Sequence, residues 1–111
     1  LVYRKAAGME IPAARFWFKL GLLLYDSRAD RESLAAFQKT AELEKTGVTA
    51  FAARVWIGHM NDLLGNRPAA LVAYQDALKI DPGTAMMHSQ WRMTIDRDWV
   101  EMRLAAPFAR Q

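Results

Sequence analysis

The feature that most limits what this chain can fold into is that it aligns with itself at a shift of 37 residues. The shift sets Leu20 and Gly21 over Ile57 and Gly58, Phe37 over Tyr74, and Leu43 over Ile80, and it lays 32–44 along 69–81. A chain with such a period repeats one supersecondary unit, because a single unit cannot bury its apolar face alone and stacked copies can. The second copy shows what the unit is. Ala70, Leu71, Ala73, Tyr74, Ala77, Leu78 and Ile80 recur largely at three- and four-residue spacings, which places them on one helical face. Gly65 suits the left-handed end of a preceding helix, and Asn66 suits the N-cap of the next. Pro68 falls in the first turn, where its missing N–H has no partner to lose, and Pro82 forbids continuation. The unit is a helical hairpin.

Further copies are partial. A shift of 34 carries Phe37 back to Tyr3 and Leu43 back to Met9, and carries Ile57 forward to Trp91 but Gly58 onto Arg92. The division is therefore the tail of an earlier repeat at 1–12, full repeats at 13–47 and 48–83, and a degenerate repeat or cap at 84–111. Helices are expected at about 13–25, 30–45 and 50–64, with Asp30 capping the second and Gly47 and Thr49 marking the joint before the third. The 13–25 segment is apolar nearly all round, which predicts burial on more than one side. Thr84 can cap a helix through Trp91 and Ile95. Asp98 with Glu101 opens a last one, carrying Trp99, Met102 and Leu104 until Pro107. The stretch 84–108 reads as a terminal unit covering the last core face, with Trp91 and Trp99 as its large core residues.

Trp17, Leu20, Gly21, Ser33 and Phe37 in the first hairpin, with Ile57, Gly58, Ala70, Tyr74, Ala77 and Pro82 in the second, resemble the tetratricopeptide repeat (TPR), a helix-turn-helix of about 34 residues. Departures are Arg54 where a large apolar residue is usual, Asn61 where an aromatic is usual, Lys45 in place of proline, and three extra residues around Gly47–Ala50. The resemblance implies an all-α fold, a right-handed superhelical stack of antiparallel helix pairs. It also implies that the first helix of each pair lines a concave groove for a peptide or helix. By register that groove is Arg15, Phe18, Leu22, Tyr25, Val55, His59, Asp62, Met86, Ser89 and Met93. The lysine–asparagine pair with which some members grip a terminal carboxylate is missing: Phe18 and Leu22, then Val55 and His59, occupy its positions. The alternative for Phe18, Leu22 and Tyr25 is contact with a missing helix of the preceding repeat.

Chemistry is thinly represented. With no cysteine there is no disulfide, thiolate metal site or thiol nucleophile. His59 and Asp62 lie three apart on one helix face, which predicts a groove histidine hydrogen-bonded to an acid. No spacing suits a metal, and neither a Gly-x-Gly-x-x-Gly nor a P-loop pattern suggests a cofactor, so none of either is expected. Ser27, Ser33 and Ser89 lack an adjacent histidine or glycine elbow, so catalysis is not expected. The net charge of +3 is spread with acids interleaved among the bases, unlike the one-sided basic face of a nucleic-acid binder. The longest apolar stretch, 16–25, is interrupted by Lys19 and falls short of the roughly 20 residues a bilayer span takes. The expected function is a protein–protein interaction scaffold that binds a peptide or helix in its groove or docks in an assembly. The alternative is a non-catalytic regulatory or oligomerisation tail of a larger enzyme whose catalytic domain precedes Leu1, since the first residues already read as mid-helix. Expected partners are a protein or peptide, another copy, or a preceding domain of the same chain. Neither nucleic acid nor membrane insertion is expected, and the compartment stays open with the cytoplasm as default.

Overall fold

The computed structural model describes residues 12–81 and 97–110. These form five helices: α1 (Pro12–Asp26), α2 (Asp30–Leu43), α3 (Gly47–Leu63), α4 (Arg67–Leu78) and α5 (Arg97–Ala105). The fold of the described residues is all-α, with no strand among them. Each helix packs chiefly on its sequence neighbours, and α1 also touches α3. The segment 1–11, and 82–96 with Trp91, Ile95 and the expected Thr84 helix, lie outside the described residues.

The repeat seen in the sequence reappears as one contact made twice. A Cβ on Gly21 would stand 2.6 Å from the Phe37 ring, and one on Gly58 would stand 2.3 Å from the Tyr74 ring. Both rings are fully buried, so each glycine is where the second helix of a hairpin lays an aromatic directly on the backbone of the first. In the first hairpin the crossing is tied by the Ser33 hydroxyl, which donates to the Gly21 carbonyl at 2.7 Å.

The turns repeat as closely. The amides of Ser27, Arg28, Ala29 and Ser33 donate to the carbonyls of Leu23, Tyr25, Leu24 and Ala29. The residues 37 further on, Leu64, Gly65, Asn66 and Ala70, donate to Met60, Asp62, Asn61 and Asn66. Gly65 takes the left-handed conformation predicted for it, with φ 82°, and its counterpart Arg28 takes the same conformation at φ 61° without glycine's freedom. Asn66 caps α4 by accepting from the Ala69 amide at 3.3 Å. Its counterpart Ala29 holds the cap position of α2 with no side-chain bond, so Asp30 is the first residue of α2 and not its cap.

The long α3 absorbs the three extra residues. It starts at Gly47, about a turn before the expected position, with Thr46 extended ahead of it. Arg54 accounts for the charge at a usually apolar place: its guanidinium donates to the carbonyls of Ala41 and Glu44 at the end of α2 and of Ala50 in α3. The Ala41 and Glu44 carbonyls, at the end of α2, have no helical partner, and a cation there also meets the negative end of that helix's dipole. The core is built on Trp56, stacked on Phe37 at 5.5 Å, with Phe51, Met60 and Tyr74 around it and Val100 contributed by α5.

Candidate functional site

The chain leaves α5 at Ala105 and runs back, without regular secondary structure, over the face made by α1 and α3. Arg67 of α4 directs that return. One of its nitrogens donates to both oxygens of Asp62, and the other donates to the carbonyls of Arg103 and Leu104 at the end of α5, at 2.7 and 3.1 Å. Arg103 in turn donates to the Pro107 carbonyl and lies over the Trp99 ring at 4.9 Å.

Phe108 is the first anchor. Its ring lies parallel to His59 at 3.9 Å, with Trp56 at 6.0 Å, Tyr25 at 6.3 Å and Trp99 at 6.4 Å around it. Its amide donates to Asp62 Oδ2 at 2.8 Å. The same oxygen accepts the Tyr74 hydroxyl at 2.7 Å, and the Asp62 side chain is wholly buried. Burial, and after it the bond to Asp62, push the Tyr74 phenol well up from its ordinary value, so it remains a donor. Arg110 is the second anchor. Its guanidinium lies over the Tyr25 ring at 4.5 Å, donates to the Tyr25 carbonyl at 2.8 Å, and pairs with Asp30.

His59 sits at the centre of this face and does not pair with Asp62. Three other donors, Arg67, Tyr74 and the Phe108 amide, take the carboxylate, and both ring nitrogens of His59 are buried without a partner among the described residues. Burial, and then the nearby Arg103 charge, hold its pKa well below the ordinary value. A neutral imidazole is what stacks on Phe108.

The residues expected to line a groove divide accordingly. Tyr25, His59 and Asp62 meet the returning segment directly. Phe18 is buried inside the first hairpin, edge-on to Phe37 at 5.3 Å, and Leu22 and Val55 are buried in the same core. Arg15 is exposed on α1. Met86, Ser89 and Met93 lie outside the described residues. Sequence reasoning missed Phe108 and Arg110 as partners of this face, and Asp30 as well. The available signal was Pro-Phe-Ala-Arg directly after a helix, an aromatic and a cation two apart in a stretch that proline keeps extended.

Among the described residues no group of three or more His, Asp or Glu could hold a metal, and no helix is long and apolar enough to cross a membrane. Compared with known protein families, curated proteins and solved structures, the chain matches none.

Proposed function

We propose that this chain is a protein–protein interaction module of the tetratricopeptide kind, a right-handed stack of hairpins whose α1–α3 face holds a segment of a partner protein. The observation that carries this reading is that a non-helical segment, 106–110, lies on that face and is held by ring contacts, a backbone amide bond and an ion pair. A face that satisfies one such segment has the shape and hydrogen-bond acceptors to hold another. The glycine–aromatic crossing made twice, 37 residues apart, supports the repeat assignment. A phage-displayed peptide library panned on the chain carrying Phe108→Ser and Arg110→Ser tests the reading. Peptides whose capture is lost on Tyr25→Ala in folded protein are the expected result. A library that yields none rejects it.

One observation favours docking in a larger assembly as a second mode. Phe16 and Leu23, seven apart on α1, are 60% and 61% exposed, the highest values for large apolar side chains among the described residues. A preceding domain or a second copy set against that stripe would cover it. Sedimentation at micromolar concentration, with Phe16→Glu beside the wild type, tests this: association that survives the substitution does not use the stripe.

A further inference from the structure

We infer that the α1–α3 face is a recognition site for an irregular, extended segment carrying an aromatic residue followed two positions later by arginine, and that 106–110 is its internal occupant, which a partner's segment of that type must displace. This rests on the reading of the face as a peptide site and adds the chemistry of what it selects. Along the segment, Pro107 and Ala109 are exposed, while Phe108 is buried and Arg110 is largely covered. That alternation is the signature of a strand-like peptide laid on a surface, with every second side chain turned into it. The segment therefore engages the face through two side chains and one amide.

Each seat is selective. The Phe108 seat is a slot between His59 on one side and the edges of Trp56 and Trp99 on others, which fits a flat ring better than a branched aliphatic. The Arg110 seat offers an aromatic face, a carbonyl and a carboxylate at once, the combination that a planar guanidinium satisfies and a lysine ammonium does not. Between them Asp62 reads the backbone amide, which fixes the register of the two anchors. The second seat is also the accessible one: Arg110 and Asp30 keep 16% and 25% of their side-chain surface in water. Displacement can begin there.

Tethering sets how strong a competitor must be. A segment attached by a short link faces its site at an effective concentration on the order of millimolar. A free peptide of the same sequence therefore competes poorly with the intact chain, and binds well only when the internal segment is disabled.

The test uses a labelled synthetic peptide of residues 105–110, Ala-Ala-Pro-Phe-Ala-Arg, and the full chain carrying Phe108→Ser with Arg110→Ser. Fluorescence anisotropy should show binding at least about tenfold tighter than to the unsubstituted chain. Alanine in place of either the peptide's phenylalanine or its arginine should weaken it about tenfold or more, as loss of a central anchor does. Asp30→Arg in the chain should abolish binding of this peptide and restore it for one ending in Ala-Asp. If the double substitution prevents folding, Arg110→Ser alone frees the accessible seat, and the arginine comparison and the Asp30→Arg swap apply to it.

A folded variant that ignores the peptide overturns the inference, and so does loss of cooperative melting in both variants, which would make the segment core. Peptides that bind through Tyr25 without needing aromatic or arginine anchors would overturn this inference while leaving the groove reading intact. A wild-type chain that sediments as a dimer, and falls to monomer on Phe108→Ser, would put a second copy's segment in the seat and overturn the assignment to a foreign partner.

Discussion

The two hairpins make the same turns and the same glycine–aromatic crossing, yet at corresponding places they carry different chemistry. Tyr25 stands where the second hairpin has Asp62, Leu22 where it has His59, Arg28 where it has Gly65, and Ala29 where it has Asn66. The segment 106–110 uses that difference: Phe108 donates its amide to Asp62, and Arg110 meets the ring and carbonyl of Tyr25. What repeats is the packing that makes a hairpin, and what varies is the side chain it offers to the α1–α3 face. The residues that pack the hairpins and those that meet the 106–110 segment stand at different positions of one unit.

The crossings are where the comparison can be broken hardest. Gly58→Leu and Gly21→Leu must both move a buried ring, and each should cost about 3 kcal/mol or more, since the roughly 1 kcal/mol of helix propensity gained does not offset overpacking of this kind. Gly58 should be the worse of the two, because its Cβ would fall closer to the opposing ring. Trimming that ring with Tyr74→Leu or Phe37→Leu in the same chain should return part of the loss. Urea midpoints measure all four, and a Gly58→Leu chain that melts with the wild type would remove the crossing from the account.

Asp62 is next. Its buried carboxylate takes Arg67, Tyr74 and the Phe108 amide, so Asp62→Ala strands three donors and should cost about 3 kcal/mol. Asp30→Ala in the first hairpin removes a partly solvated pair and should cost about 1 kcal/mol or less. Equal losses from the two in denaturant titrations would contradict the unequal burial.

The architecture of the hairpins was legible because periodicity and a left-handed glycine are local signals that do not depend on a partner far along the chain. Gly65 and Asn66 follow from such signals, and so does the equivalence of Gly21 with Gly58 and of Phe37 with Tyr74, but that each ring lies on its glycine appears only in the structure. The site was half legible. Register placed Tyr25, His59 and Asp62 on one face, but a spacing of three says only that His59 and Asp62 can meet. It does not say that an arginine, a phenol and a backbone amide from elsewhere will take the carboxylate first. Asp30 suits a cap by residue type, because acids favour that position. Its ion pair with Arg110 spans most of the described chain, and no local pattern announces it. The extended α3 was missed by a turn because Gly47 and Thr49 are as good at ending a segment as at starting one.

His59 sharpens the comparison through pH. In the folded chain its pKa is held below the ordinary value, mainly by burial, so the unfolded chain binds the proton first as pH falls. The stability attached to neutral His59 is therefore complete above about pH 6.5 and declines as pH drops below it. Protonation of the folded chain takes a pH well below that, and it removes the neutral ring that stacks on Phe108, so the 106–110 segment should loosen at that lower pH. His59→Leu copies the residue that the first hairpin uses at this place, and it should flatten stability between about pH 7 and 5. Urea titrations at several pH values decide it: a slope that persists in the leucine variant assigns the effect to another group.

The smallest changes come from making the first turn a copy of the second. Arg28 holds a left-handed backbone where Gly65 holds its equivalent, and a residue with a Cβ loses roughly 1–2 kcal/mol there that glycine does not. Glycine's extra freedom in the unfolded chain takes back some of that, so Arg28→Gly should stabilise by about 0.5–1 kcal/mol. Ala29 has φ −88° and ψ 71°, close to the φ −107° and ψ 71° of Asn66, so its backbone is already set for a side-chain cap that alanine lacks. Ala29→Asn should bring an oxygen to the first-turn amides of α2 and add about 0.5–1 kcal/mol, while Asn66→Ala should remove a similar amount from α4. The two substitutions at 28 and 29 are adjacent and share one turn, so the pair need not sum. Thermal melts of each variant and of the pair measure this. Gains in the first hairpin matched by the loss at Asn66 would show that one turn design serves both. Destabilisation by Ala29→Asn would mean that the first turn, beside the Asp30–Arg110 pair, is held by that pair in a geometry the second hairpin does not share.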